Sequence, residues 1–98
     1  MLEEEGYQLM GAAFEVHNQL GHGLAEEIYQ QSLEIELALR GIQFSSKSEL
    51  NVTYKGKQLQ TVYKPDLFAF EGIVVELKAV KELIADHEAQ LFNYMGIS

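Results

Sequence analysis

The chain has 98 residues, enough for one small domain with a modest hydrophobic core, and its apolar fraction of 47% is that of a globular protein. The absence of cysteine excludes a disulfide framework and a thiolate metal site, and no apolar run approaches the roughly 20 residues of a transmembrane helix. The net charge of −8 disfavours nucleic-acid binding over most of the surface, and the acidic start argues against a signal peptide, so we expect a cytoplasmic protein.

Charge is unevenly distributed along the chain. Residues 1–39 hold eight acidic residues and no Lys or Arg, whereas residues 40–64 hold five basic residues and one glutamate, a net charge of +4. Two interpretations of this basic segment stay open. It is either a set of solvent-exposed strand edges, where lysine is common, or a surface that faces phosphate.

Two helices are predicted in the first 40 residues. Apolar residues at helical spacing predict a first helix over residues 3–20, and its acidic start suits the helix dipole. The sequence GHG ends it, and a second helix is predicted over residues 24–40, with Gly41 as its left-handed C′ residue. Five apolar residues of this second helix are candidates for burial: Ile28, Leu33, Ile35, Leu37 and Leu39.

The period then changes to two, which predicts strands. The sequence SELNVTYKGKQLQTVYKPDLFAF predicts two long strands joined by a turn at Lys55-Gly56. IVVELKA predicts a third strand, reached through a three-residue loop in which Gly72 takes the left-handed conformation. A last helix is predicted from Leu83 to Met95. The order α-α-β-β-β-α predicts one α+β domain over residues 1–98, with helices packed on a small, largely antiparallel sheet.

Charged residues interrupt the apolar third strand. In the predicted register Leu67 faces Val75, so Asp66 faces Glu76, and alternation places Lys78 on the same face. Opposed carboxylates repel each other, and a divalent cation such as Mg²⁺ or Mn²⁺ would remove that repulsion. Lys78 could then orient or deprotonate a water molecule. The alternative is a solvated strand face in a different register.

Several blocks of the sequence occur together in the order of one known family. The stretch VHNQLGHGLAEEIYQQSLEIELALRGI contains Gly23-x-x-Glu26-x-x-Tyr29, and the blocks LNVTYKGKQL, PDLFAF, VVELKAV and HEAQLFNY follow it. From about Tyr7 to Tyr94 the chain resembles the GxxExxY proteins of the PD-(D/E)XK nuclease superfamily. The resemblance implies a restriction-endonuclease-like core with its active site at the hairpin, and a nuclease that hydrolyses phosphodiester bonds of DNA or RNA.

The same resemblance implies roles for individual residues. Lys78 matches the catalytic lysine, and Gln90 and Tyr94, one helical turn apart, match a pair that supports the site or contacts the substrate. The residues implied to hold Mg²⁺ or Mn²⁺ are Asp66, Glu76, the backbone carbonyl of Leu77, and Glu26 directly or through water.

The superfamily core usually has a further strand after the last helix, for which this chain has no residues. Either the chain is truncated at its C-terminus, or a partner covers the exposed edge; the second alternative predicts a homo-oligomer. A different class of function also stays open, a non-catalytic protein-interaction module on the same fold, which the acidic helices favour.

Histidines and tyrosines receive structural interpretations from the sequence alone. His17, His22 and His87 lack metal-site spacing. Tyr7, Tyr54 and Tyr63 are expected in the core rather than as stacking platforms for bases.

Overall fold

The computed structural model describes the backbone of residues 2–94 and the side chains of residues 3–86. The helices are α1 (Leu2–Leu20), α2 (Glu26–Leu39) and α3 (Leu77–Tyr94). The strands are β1 (Phe44–Ser46), β2 (Leu50–Tyr54), β3 (Lys57–Tyr63), β4 (Leu67–Ala69) and β5 (Ile73–Val75). This confirms the predicted α+β class, with five short strands in place of three longer ones. Within these residues we find no helix with the length and hydrophobicity needed to cross a membrane.

The hydrophobic core lies where α1, α2 and the start of α3 meet the sheet that contains β4 and β5. Residues of α1 at helical spacing supply one side of it, because residues three or four apart share a helix face. Leu37 and Leu67, from α2 and β4, are completely buried at its centre. The members of this core are Leu9, Ala12, Val16, Leu33, Leu37, Ile42, Leu67, Ala69, Val75 and Leu77.

The second helix buries fewer apolar residues than its sequence predicts. Leu33 and Leu37 are buried together with the polar Gln30. The prediction of burial is wrong for the other three apolar candidates, which are exposed: Ile28, Ile35 and Leu39. The reason is helical phase, because a helix turns by 3.6 residues and these three form a stripe on the face opposite to the buried residues.

The end of α2 follows the prediction for Gly41. Its φ of 71° lies in the left-handed region that glycine adopts without steric cost. The Gly41 N–H donates to the Ala38 carbonyl (3.1 Å) and the Ile42 N–H donates to the Leu37 carbonyl (2.9 Å). These two bonds are those of a Schellman motif, and the accompanying apolar contact is supplied by the buried side chains of Ile42 and Leu37.

The strands form two separate antiparallel sheets. One has the order β1-β4-β5, and the other is the β2–β3 hairpin. Lys55 and Gly56 form its turn with φ angles of 49° and 79°, the two left-handed residues of a type I′ turn. The single strand predicted from Lys57 to Phe70 is divided into β3 and β4 at the buried Pro65, because proline has no N–H to donate to a strand ladder.

The β4–β5 hairpin has the predicted register. Leu67 pairs with Val75 and Ala69 pairs with Ile73 across a three-residue loop. The left-handed residues of this loop are Phe70 and Glu71, with φ angles of 55° and 56°, and not the predicted glycine at 72. Side chains with a Cβ are disfavoured in this region, so the loop is strained at these two positions.

The last helix begins earlier than predicted. IVVELKA was expected to be a strand throughout, but β5 ends at Val75 and α3 starts at Leu77. From Leu77 onward the apolar residues Leu77, Val80 and Ile84 follow helical spacing, and Leu77 and Ile84 are buried. The Glu76 carbonyl accepts the first bond of the helix, from the Val80 N–H (3.0 Å).

Candidate active site

Asp66, the residue just before β4, is fixed in place by hydrogen bonds to its backbone carbonyl. Its carbonyl oxygen accepts hydrogen bonds from the buried side-chain amide of Gln30 (2.8 Å) and from the Lys47 N–H (3.2 Å). Pro65, which precedes it, is completely buried. The Asp66 carboxylate accepts a hydrogen bond at Oδ2 from the Leu77 N–H (2.8 Å), the first residue of α3. An anion is favoured here because a helix N-terminus carries a partial positive charge.

Glu76 connects β5 to α3 and is half-buried. Its carboxylate accepts a hydrogen bond at Oε1 from the Tyr63 hydroxyl at the end of β3. This hydrogen bond raises the pKa of Tyr63 above its ordinary value, with smaller contributions from burial and from the negative charges of Glu76 and Asp66. Glu76 therefore contacts the Tyr63 hydroxyl directly, whereas Asp66 acts on it only through its charge.

Asp66 and Glu76 flank the same end of the β4–β5 hairpin. Leu67 and Val75 form the last pair of the ladder, and the two acids are the next residue outward on each strand. Each carboxylate has one oxygen engaged in a hydrogen bond; the other, Oδ1 of Asp66 or Oε2 of Glu76, forms none among the described residues. No group of three or more potential metal ligands is present within residues 3–86. The hairpin therefore presents two carboxylate oxygens that no side chain in the described part of the protein occupies.

Lys78 occupies a different position from the one predicted. It was expected on the strand face of Glu76, but it is the second residue of α3 and is exposed. It lines a cavity of about 370 Å³ between the helices, together with Glu26 at the start of α2 and Lys81 one turn further along α3. Among the described residues Lys78 has no ion-pair partner. The structure thus brings Glu26 and Lys78 to one cavity.

Leu77 connects the cavity to the carboxylate pair. Its side chain lines the cavity and its N–H donates to Asp66, whereas Asp66 and Glu76 do not line the cavity. The predicted residues are therefore found as two neighbouring groups, Asp66 with Glu76 and Glu26 with Lys78. A substrate that reaches both groups would lie across the N-terminus of α3.

The Gly23-x-x-Glu26-x-x-Tyr29 pattern has a local structural explanation. Gly23 has a φ of 91°, which requires glycine, and Glu26 begins α2. The Tyr29 hydroxyl donates to the Gly21 carbonyl (2.6 Å) and accepts from the Leu24 N–H (3.2 Å). Tyr29 thus holds the loop that precedes α2 in one conformation, which sets the position of Glu26 beside the cavity.

His17 and His22 are joined in the same region. The Nε2 atom of the buried His17 lies 3.0 Å from Nδ1 and 3.2 Å from Nε2 of His22. The rings meet edge to face at 4.1 Å between centroids. His17 also lines the cavity, so this pair supports the cavity wall.

Tyr63 is the residue that the sequence did not assign to the site. It was expected in the core, yet it is 40% exposed and its hydroxyl contacts Glu76. Tyr7 and Tyr54 are also exposed, so the core prediction is wrong for all three tyrosines. The sequence gives little sign of this contact, because Tyr63 and Glu76 are thirteen residues apart and Tyr63 lies in a different sheet from β5, which Glu76 follows.

Three predicted residues fall on the later part of α3. Gln90 and Tyr94 are in the helix by their backbone, but their side chains lie outside the described residues, as does that of His87. Their roles stay predictions.

Comparison with known proteins supports the resemblance to the superfamily. A family model described as the PD-(D/E)XK nuclease superfamily matches residues 3–98. No curated protein and no solved structure gives a significant match. The narrower GxxExxY resemblance stays a prediction.

Proposed function

The chain belongs to the PD-(D/E)XK nuclease superfamily, and from this premise we propose that it is a divalent-cation-dependent nuclease that hydrolyses phosphodiester bonds of DNA or RNA. The observation that supports the proposal best is the placement of Asp66 and Glu76 at one end of the β4–β5 hairpin, each with one carboxylate oxygen that forms no hydrogen bond to residues 3–86. A cytoplasmic location is part of the same proposal.

Asp66 and Glu76 are the proposed ligands of Mg²⁺ or Mn²⁺. Carboxylate oxygens suit these cations, and Mg²⁺ commonly needs only one or two carboxylates because it keeps several water molecules. When bound, the cation would stabilise negative charge on the phosphate as a Lewis acid. The backbone carbonyl of Leu77 is proposed as a further ligand, while the N–H of the same residue donates to the Asp66 carboxylate.

Lys78 and Glu26 are proposed to act from the cavity beside the carboxylate pair. The Lys78 ammonium would orient the attacking water and offset charge on the phosphate. Glu26 would hold a water molecule of the cation or reach the cation itself. Tyr63 is proposed as a positioning residue, because its hydroxyl fixes one oxygen of Glu76 and leaves the other available. Gln90 and Tyr94 are proposed to support the site or contact the substrate.

A nuclease assay tests the proposal. The wild type is incubated with single-stranded and double-stranded DNA and RNA in the presence of Mg²⁺ or Mn²⁺, and cleavage is followed on gels. We expect cleavage of at least one substrate, its loss in EDTA and its loss in Asp66→Asn. Cleavage that persists in the variant would mean that a contaminant or another site is responsible.

A second candidate function is supported by the outer face of α2. Ile28, Ile35 and Leu39 are exposed there in one stripe, on a helix rich in acidic residues. Such a stripe suits a protein partner, including a second copy of this chain. Light scattering tests self-association: a mass above that of the monomer, lowered by Ile35→Glu, would support it, and a monomer mass at high concentration would reject it.

A further inference from the structure

The β2–β3 hairpin projects from the rest of the protein. Every residue of β2 and β3 except Leu50 and Val62 is exposed, and the two strands contact chiefly each other. An isolated two-stranded hairpin is only marginally stable in water. We define residues 47–64 as the basic arm, which is this hairpin with its flanking lysines.

The basic arm is the positively charged part of an acidic protein. It holds four lysines and one glutamate, a net charge of +3. Because the whole chain has a net charge of −8, the residues outside the arm carry a net charge of −11. Two lysines at its base are paired, Lys47 with Glu27 (3.2 Å) and Lys64 with Glu49 (3.4 Å). Lys55 and Lys57 at its tip have no carboxylate partner among the described residues.

The two faces of the arm differ in chemistry. Tyr54 is opposite Lys57 and Leu50 is opposite Tyr63, and directly opposed residues share a face. The register shifts between Asn51 and Thr53 by two residues on β3, which preserves the alternation, so all four side chains lie on one face. Tyr54 is 63% exposed there, and the Lys55 ammonium lies 5.5 Å from the centre of its ring.

The opposite face of the arm is mostly polar. It includes the opposed pairs of Thr53 with Gln58 and of Asn51 with Val62. An exposed aromatic ring beside lysines, on one face only, is the arrangement that binds unpaired bases, because the ring stacks on a base while the cations contact phosphates. A duplex presents base edges and not base faces, so it would leave the Tyr54 ring without a stacking partner.

We propose that the basic arm binds single-stranded nucleic acid, with Tyr54 stacked on a base and Lys55 and Lys57 on phosphates. The inference rests on the proposed nuclease function, whose substrate it specifies as a strand with unpaired bases. The hydrogen bond from Tyr63 to Glu76 places the end of the arm that joins the rest of the protein at the candidate site. From Tyr63 to Lys57 is six residues, or about 20 Å of strand. A strand bound at the tip of the arm would have to run about this distance to reach the candidate site.

Binding measured without cleavage tests the arm. In EDTA, the fluorescence anisotropy of labelled single-stranded DNA and RNA oligonucleotides, and of the same DNA annealed to its complement, is followed against protein concentration. We expect the wild type to bind the single strands more tightly than the duplex. Tyr54→Ala should lower the single-strand affinity about tenfold. Lys55→Ala with Lys57→Ala should reduce the slope of log affinity against log salt by about 1.4.

Matched controls separate the arm from general surface effects. Tyr7→Ala removes a tyrosine that is 75% exposed on α1, and Gln58→Ala changes the polar face of the arm. Both should bind as the wild type does. Circular dichroism checks that each variant keeps its fold, which is expected because these side chains are exposed.

The outcomes distinguish the arm from the proposed nuclease. If the arm variants lose single-strand binding but no cleavage is found under any condition, the arm inference stands and the nuclease proposal fails. If the wild type cuts nucleic acid and the arm variants bind and cut equally well, the arm inference alone is overturned. It is also overturned if the wild type binds no single strand, or if Tyr54→Ala changes only the mass measured by light scattering, which would assign the face to a second copy of the chain.

Discussion

The hydroxyl of Tyr63 donates a hydrogen bond to the carboxylate of Glu76, which joins the separate β2–β3 hairpin to the end of the β4–β5 hairpin. The bond raises the pKa of Tyr63, since the phenol gives up its proton less readily while it donates to a negative group. Glu76 is a proposed cation ligand, so this contact couples the position of the ligand to the position of the arm.

The first prediction concerns the titration of Tyr63. Because its pKa in the folded protein is above the ordinary value of about 10, the bond stabilises the fold below that value and the contribution is lost as pH rises through the raised pKa. Absorbance of tyrosinate against pH should show a late transition that disappears in Tyr63→Phe and moves to lower pH in Glu76→Gln. Tyr54→Phe, the control, should keep the late transition. Loss of an early transition in Tyr63→Phe instead would show that the bond is not formed in solution.

The second prediction separates two roles of Asp66. Its carboxylate accepts the Leu77 N–H, so Asp66→Ala should lower the free energy of unfolding by about 1 kcal/mol, as loss of a helix cap does. Asp66→Asn keeps an oxygen that can accept this bond but loses the negative charge. Chemical denaturation should therefore give Asp66→Asn a free energy of unfolding close to that of the wild type. Calorimetric titration with Mn²⁺ should find that neither variant binds the cation. Equal stability of the Ala variant and the wild type would mean that the bond to Leu77 contributes little.

The third prediction concerns Lys78. Lys78 is proposed to act on the attacking water and not on the cation. Lys78→Ala should therefore preserve binding of Mg²⁺ or Mn²⁺ and lower the cleavage rate by about 10²–10⁴-fold. Lys81→Ala is the matched control, because Lys81 lines the same cavity one helical turn away. Its effect on the rate should be much smaller. A wild-type rate in Lys78→Ala, or equal losses in the two variants, would contradict the assignment.

The fourth prediction compares two glycines. Gly41 has a φ of 71°, where a Cβ is strained, so Gly41→Ala should lower the free energy of unfolding by about 1 kcal/mol. Gly6 lies inside α1, and no heavy atom outside its local helix lies within 4 Å of the position a Cβ would take. Gly6→Ala should therefore stabilise the protein by about 0.5–1 kcal/mol, because alanine favours helix. Urea denaturation of both variants measures the change in the free energy of unfolding, which should be negative for Gly41→Ala and positive for Gly6→Ala. Changes of the same sign would contradict the assignment of Gly41 to a left-handed helix end.

Features set by local sequence were predictable. The end of α2 at Gly41, the turn at Lys55-Gly56 and the pairing of Leu67 with Val75 depend on nearby residues and on strand alternation. The start of α3 at Leu77 was not, because a short apolar run suits a strand or a buried helix equally well and packing decides between them.

Positions that depend on the packing of distant elements were harder to predict. The cavity that contains Glu26 and Lys78 forms only when the starts of α2 and α3 meet α1. The exposure of Tyr54 follows from the separation of the β2–β3 hairpin from the other sheet, and alternation along one strand carries no information on that. Sequence reasoning thus found the acids of the hairpin but not their neighbours.

The separation of charge between the basic arm and the acidic helices also has a kinetic consequence. A polyanion that approaches the helical side meets a repulsive field, whereas one that approaches the arm is attracted, so orientation is selected during diffusion and before contact. The association rate should then fall steeply with ionic strength, while encounters from the acidic side rarely succeed. The glutamates of α1 and α2 would in this way direct a nucleic-acid strand to the arm without touching it.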